Sequence, residues 1–86
     1  MKRDEIKNIL LSVAKEAYGK GPGWSQEGVV LREVGDRISR KDDRVNVATE
    51  QTILEAWHDL FTERILAWGY NLDNPGSPFF HIRLES

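Results

Sequence analysis

The chain has no cysteine, which excludes a disulfide scaffold and any thiolate zinc finger, so packing alone must hold the fold. It also has no run of about 18 apolar residues, the minimum for a membrane-spanning helix. Its start, Met1-Lys2-Arg3-Asp4-Glu5, leads into a pattern interrupted by polar residues and not into the apolar core of a secretory signal. The expected address is the cytoplasm. No charge of one sign dominates: 12 Lys and Arg stand against 14 Asp and Glu, a net charge of −2. That balance argues against a chain that coats nucleic acid by bulk electrostatics. Internal repeats and low-complexity tracts are missing as well.

What is present is apolar and aromatic. The 86 residues are 40% hydrophobic and include three Trp, three Phe and two Tyr, enough for one core and too short for two. Residues 1–86 are therefore expected to form one domain. Charge is distributed unevenly along it. Residues 1–20 carry five basic and three acidic groups, whereas Thr49 to Glu63 carries four acids (Glu50, Glu55, Asp59, Glu63) and no base.

Ile6, Ile9, Leu10, Val13, Ala14 and Ala17 fall on one stripe of a 3.6-residue repeat and predict a first helix over about residues 4–18. Gly19, Gly21, Pro22 and Gly23 end it. Trp24-Ser25 then reads as a helix start, with Ser25 as N-cap and Trp24 and Val29 spaced as a hydrophobic staple. The second helix is predicted over 26–39, burying Val30, Val34 and Ile38, with Gly35 marking close approach of a neighbouring helix. After a mixed-charge connection, Ile53, Ala56, Trp57 and Leu60, with Phe61 alongside, predict a third helix over 49–63, capped by Thr49 or, three residues further in, by Thr52.

The period then changes. Phe80, Ile82 and Leu84 alternate with Phe79, His81 and Arg83, the period-2 pattern of a half-buried strand, and Ile65 to Tyr70 is its expected partner. Between them residues 71–78 are turn chemistry throughout, with Pro75-Gly76 suited to the centre of a type II turn. The predicted fold class is α+β: a three-helix bundle with a C-terminal β-hairpin.

This order of elements resembles a winged helix-turn-helix domain over nearly the whole chain. The resemblance rests on the Trp24-Ser25 lead into the second helix, where such domains often place a short strand, on the Ile53-to-Phe61 stripe, and on the hairpin from Ile65 to Leu84. The third helix with Arg64 to Tyr70 and Pro78 to Ile82 is similar to bacterial winged-helix modules fused to larger effector proteins, so the chain is expected to be such a module. Gly23-Trp24 and the following helix alone are similar to RNA-associated OST-type domains. The winged-helix resemblance implies a non-catalytic domain that binds double-stranded DNA, with the third helix in the major groove and the wing on the backbone. Thr49, Gln51 and Thr52 are then the candidate base-reading residues, since Gln pairs bidentately with adenine and Thr offers a hydroxyl and a methyl. Arg37, Arg40, Lys41 and Arg44, with Asn71, Asn74 and Ser77 of the wing, are the candidate backbone contacts.

Two features pull the other way. Glu50, Glu55 and Asp59 would repel phosphates, and no Lys or Arg lies between Tyr70 and Ile82. The alternative is a protein-interaction or dimerisation module that uses the acidic third helix and the aromatic wing base, Trp68, Tyr70 and Phe79, for a partner chain or a second copy. Chemistry of other kinds has little footing. His58 and His81 are the only histidines and have no ligand partner at helical spacing. No serine sits in a nucleophile elbow, and Gly19, Gly21 and Gly23 lack the ending of a phosphate loop. Glu55 and Asp59, at i and i+4, read as a solvated stripe more simply than as an acid–base pair. No cofactor is expected.

Overall fold

The computed structural model describes residues 2–20, 25–42 and 46–83. Its first helix, α1, spans Arg3–Lys20. Ile6, Leu10, Val13 and Ala14 recur at helical spacing and all are buried, so the apolar stripe marked by the pattern is the one that packs. Asp4 and Glu5 occupy the first turn, where the positive end of the helix dipole favours carboxylates.

A two-residue strand, β1 (Ser25–Gln26), leads directly into α2 (Glu27–Asp42). Ser25 is therefore not a helix cap: it pairs with Phe80 in a sheet. The backbone N–H of Glu27 donates to the carbonyl of Pro78 at 2.8 Å, so the wing satisfies a group that a capping side chain would otherwise serve. Trp24, half of the expected staple, lies outside the described residues, and Val29 is exposed. Val30, Val34 and Ile38 form the buried face of α2, as their spacing predicts. The close approach expected at Gly35 does not occur, because a Cβ there would meet nothing within 4 Å.

Helix α3 spans Val47–Thr62, and its N-cap is Asn46, not Thr49 or Thr52. Asn46 has an extended backbone, and its Oδ1 accepts from the Thr49 N–H at 2.9 Å. Asparagine ranks above threonine as a cap, which explains why the helix begins one turn-fraction early. Ile53, Ala56, Trp57 and Leu60 are buried. Trp57 is the hub of the core, meeting Phe61, Trp68 and Phe80 edge-on with ring centroids 5.1, 6.3 and 5.1 Å away. Contacts of this geometry each add about 0.5–1.5 kcal/mol beyond the area they bury.

The end of α3 turns sharply. The Arg64 N–H donates to the Phe61 carbonyl at 3.1 Å and the Ile65 N–H to the Leu60 carbonyl at 2.9 Å, the paired bonds of a Schellman stop. Arg64, with φ 63°, fills the left-handed position that glycine usually takes. Strands β2 (Leu66–Trp68) and β3 (Phe79–Ile82) then pair antiparallel, with Leu66 opposite Ile82 and Trp68 opposite Phe80. The sheet order is β1-β3-β2, so β3 is central and fastens the segment before α2 to the hairpin. The result is an α+β arrangement of three helices and a C-terminal β-hairpin, the layout of a winged helix.

The hairpin tip differs from the expected Pro75-Gly76 turn. Gly76 does not take the positive φ that a type II turn demands; among the described glycines Gly69 does, at 109°. Two other turns do the work. In one, Asn71 Oδ1 accepts from the N–H groups of Asp73 and Asn74 at 3.0 and 2.8 Å. In the other, the Phe79 N–H reaches the Gly76 carbonyl at 3.3 Å across a cis Ser77–Pro78 peptide.

Candidate recognition surface

The outward face of α3 is set by the same periodicity that buries its inner face. Val47, Gln51, Leu54, His58 and Thr62 follow one another at steps of three or four residues, opposite Ile53, Ala56 and Leu60. Val47 is 67% and Leu54 43% exposed. No Lys, Arg, Asp or Glu stands among the five.

The three candidate base-reading residues are not equivalent here. The Thr49 hydroxyl donates to Asn46 Oδ1 at 3.1 Å, and the Thr52 hydroxyl donates to the Ala48 carbonyl at 3.0 Å. Both side chains are half-buried and turned into the helix's own hydrogen bonding. Gln51 alone projects its amide from the outward face.

The acidic edge of α3 is a tie between helices. Arg3 donates to Glu55 Oε1 from Nη1 at 3.0 Å and to Asp59 Oδ2 from Nη2 at 2.8 Å, and Lys7 pairs with Glu63. These carboxylates hold the Arg3 guanidinium and the Lys7 ammonium above their ordinary pKa values, chiefly through the hydrogen bonds that Arg3 donates to Asp59 and Lys7 to Glu63. The pairing was missed in the sequence, yet it left a signal: Arg3 and Lys7 are four residues apart, as are Glu55, Asp59 and Glu63. Glu50 makes no ion pair among the described residues.

The basic cluster lies elsewhere. Arg37 donates to Glu33 at 2.8 Å and to Glu16 of α1 at 2.6 Å, and Arg40 lies 3.4 Å from Glu33. Arg37 holds the Glu33 carboxyl below the usual carboxylate range, mainly by its hydrogen bond. Arg37 and Arg40 line a groove of about 520 Å³ with Asn8, Ile9 and Ser12 of α1. Lys7, which meets α3, and Glu16, which meets α2, are nine residues or about two and a half turns apart, so they leave opposite flanks of α1. Arg37 and Arg40 are thus not gathered with Gln51 onto one surface. Lys41 lies in the last turn of α2, and Arg44 is outside the described residues.

In the wing, the Asn71 side chain closes its own turn and receives the Asn74 Nδ2 at 3.1 Å, so both amides serve the loop. Ser77 is exposed. The aromatic base splits in two. Trp68 stacks on Phe61 with centroids 4.0 Å apart and planes 14° from parallel, both half-buried. Tyr70, 43% exposed, lies 6.1 Å from the half-buried Phe79 ring. Leu72, at the tip, is 98% exposed, and sequence reading did not single it out. His81 joins this region to the backbone, its Nδ1 lying 2.9 Å from the Gly69 carbonyl.

No protein-family model, curated protein or solved structure matches the chain. Among the described residues no group of His, Asp and Glu is placed to hold a metal ion, and no helix is long and apolar enough to cross a membrane.

Proposed function

We propose that the chain is a non-catalytic winged-helix recognition module whose ligand is a polypeptide, docked on the outward face of α3 and on the wing. The observation that carries this reading is the uncharged, partly apolar character of that face, with Val47 and Leu54 exposed on α3 and Leu72 and Tyr70 on the wing. Interface centres are depleted in charge and enriched in aromatic side chains. A duplex ligand makes the opposite demand, because its affinity comes largely from Lys and Arg set against phosphates. Here Arg3 and Lys7 are engaged by carboxylates of α3 and its C-cap, and Arg37 is engaged by Glu16 and Glu33.

Double-stranded DNA is the second reading, favoured by the exposed amide of Gln51 near the start of α3. A photo-crosslinking residue placed at Gln51 and, separately, at Leu72 in cells that express the protein separates the two. A covalent adduct sensitive to protease and resistant to nuclease supports a polypeptide ligand. A nuclease-sensitive adduct at Gln51 overturns it in favour of DNA, and no adduct at either position overturns both.

A further inference from the structure

Beside the outward face of α3 lies a smaller feature, between α2 and α3. Leu31 and Gly35 of α2 and Glu50, Ile53 and Leu54 of α3 line a groove of about 200 Å³. Small-molecule pockets are larger, roughly 300–1,000 Å³, so the volume suits an inserted side chain better than a metabolite. The lining is apolar except for one carboxylate, Glu50.

Two observations say what fits there. First, Gly35 sits mid-helix, where glycine costs about 1 kcal/mol relative to alanine, although a Cβ would meet nothing within 4 Å. Packing inside the chain does not require that glycine, whereas a second helix laid along α2 would gain close approach from it. Second, α3 and its C-cap Glu63 together carry four acids, and Arg3 and Lys7 take three of them. Glu50, on the rim of the groove, is the carboxylate left without a cation among the described residues. An apolar slot flanked by one unmatched negative charge is complementary to an apolar side chain flanked by a positive one.

We infer that the α2–α3 groove receives an amphipathic helix of a partner chain, which seats an apolar ridge over Leu31, Gly35 and Leu54 and places a Lys or Arg against Glu50. This is helix-in-groove recognition, with anchors spaced three and four residues apart. The inference rests on the polypeptide reading above, and its groove adjoins that surface and shares Leu54 with it, but the two are tested at separate residues. Crosslinks at Gln51 and Leu72 test that reading, and the experiment below leaves both residues untouched.

The probe is a synthetic amphipathic helix of about 18 residues, long enough to be helical in water, with Leu at three- and four-residue steps and Lys beside the Leu ridge. A second peptide carries Glu in place of each Lys. Binding is measured by fluorescence anisotropy, and amide shifts map its location. The Lys peptide is expected to bind more tightly than the Glu peptide, with shifts at Leu31, Gly35 and Leu54. Glu50→Lys should reverse the preference, by about two- to fivefold in each direction, the range for an exposed charge pair. Gly35→Leu should weaken both peptides by about tenfold or more through filling the groove. Far-UV circular dichroism of each variant checks that the fold is kept. Three results would overturn the inference: no binding by the Lys peptide, an affinity unmoved by Glu50→Lys and Gly35→Leu, or shifts confined to the α1–α2 groove.

Discussion

Gly69 is where the hairpin is most exposed to a single methyl group. Its φ of 109° is one that side-chain-bearing residues rarely adopt, and a Cβ there would stand 2.8 Å from the Pro75 carbonyl oxygen, 3.0 Å from its carbon and 3.2 Å from its Cα. All three are backbone atoms, so Gly69→Ala cannot be relieved by a rotamer change. Holding alanine in such a conformation costs roughly 1–3 kcal/mol. Pushing Pro75 aside also loosens two 2.8 Å bonds, from the Gly69 N–H to the Phe79 carbonyl and from the Tyr70 N–H to the Asn74 carbonyl. Each such bond contributes about 0.5–1.5 kcal/mol net. A combined loss of roughly 2–4 kcal/mol is a large share of a stability that for domains generally is about 5–15 kcal/mol. At about 4–8 °C per kcal/mol for a domain of this size, Tm should fall by at least about 8 °C. Thermal unfolding followed by far-UV circular dichroism reads this directly. A Gly69→Ala protein melting within about 3 °C of the parent would refute the reasoning, since it would mean that the turn shifts at almost no cost.

Two further substitutions test other parts of the fold. Arg64→Gly should raise Tm by a few degrees, because the left-handed position at φ 63° costs a side-chain-bearing residue about 1–2 kcal/mol, only partly offset by the greater unfolded freedom of glycine; an unchanged or lower Tm would count against that account. Glu33→Gln should lower Tm near neutral pH and make progressively less difference as the pH drops below the ordinary carboxyl value of 4.5. The sign follows from the depressed pKa: Arg37 favours the ionised carboxylate in the folded state, so its contribution is present above the unfolded pKa and disappears as pH falls through the folded one. A gap that widened toward acid would contradict it.

The element order was readable because each element carries its own period. The stripes of α1, α2 and α3 and the Phe80 alternation are local patterns, and burial follows them. What escaped the sequence were interactions whose partner is remote. Ser25 looks like a cap until Phe80, 55 residues later, offers it a strand. Asn46 takes the extended backbone of a cap in place of Thr49, and the wing turn is closed by an asparagine side chain in place of the Pro-Gly pair. The candidate site was legible in composition but not in placement. The acids of α3 were visible, whereas their neutralisation by Arg3 and Lys7 depends on how α1 crosses α3. Likewise Arg37 and Arg40 are close to α3 in sequence yet open onto the far flank of α1.

The contact between Trp57 and Trp68 has a practical consequence. One indole belongs to α3 and the other to the hairpin, with their rings 6.3 Å apart and 76° from parallel, near enough for their electronic transitions to couple. The near-ultraviolet dichroism of the protein therefore contains a signal that exists only while hairpin and helix are pressed together. Any ligand that pries the wing loose will dim it, and one that clamps the wing will leave it intact, with no label required.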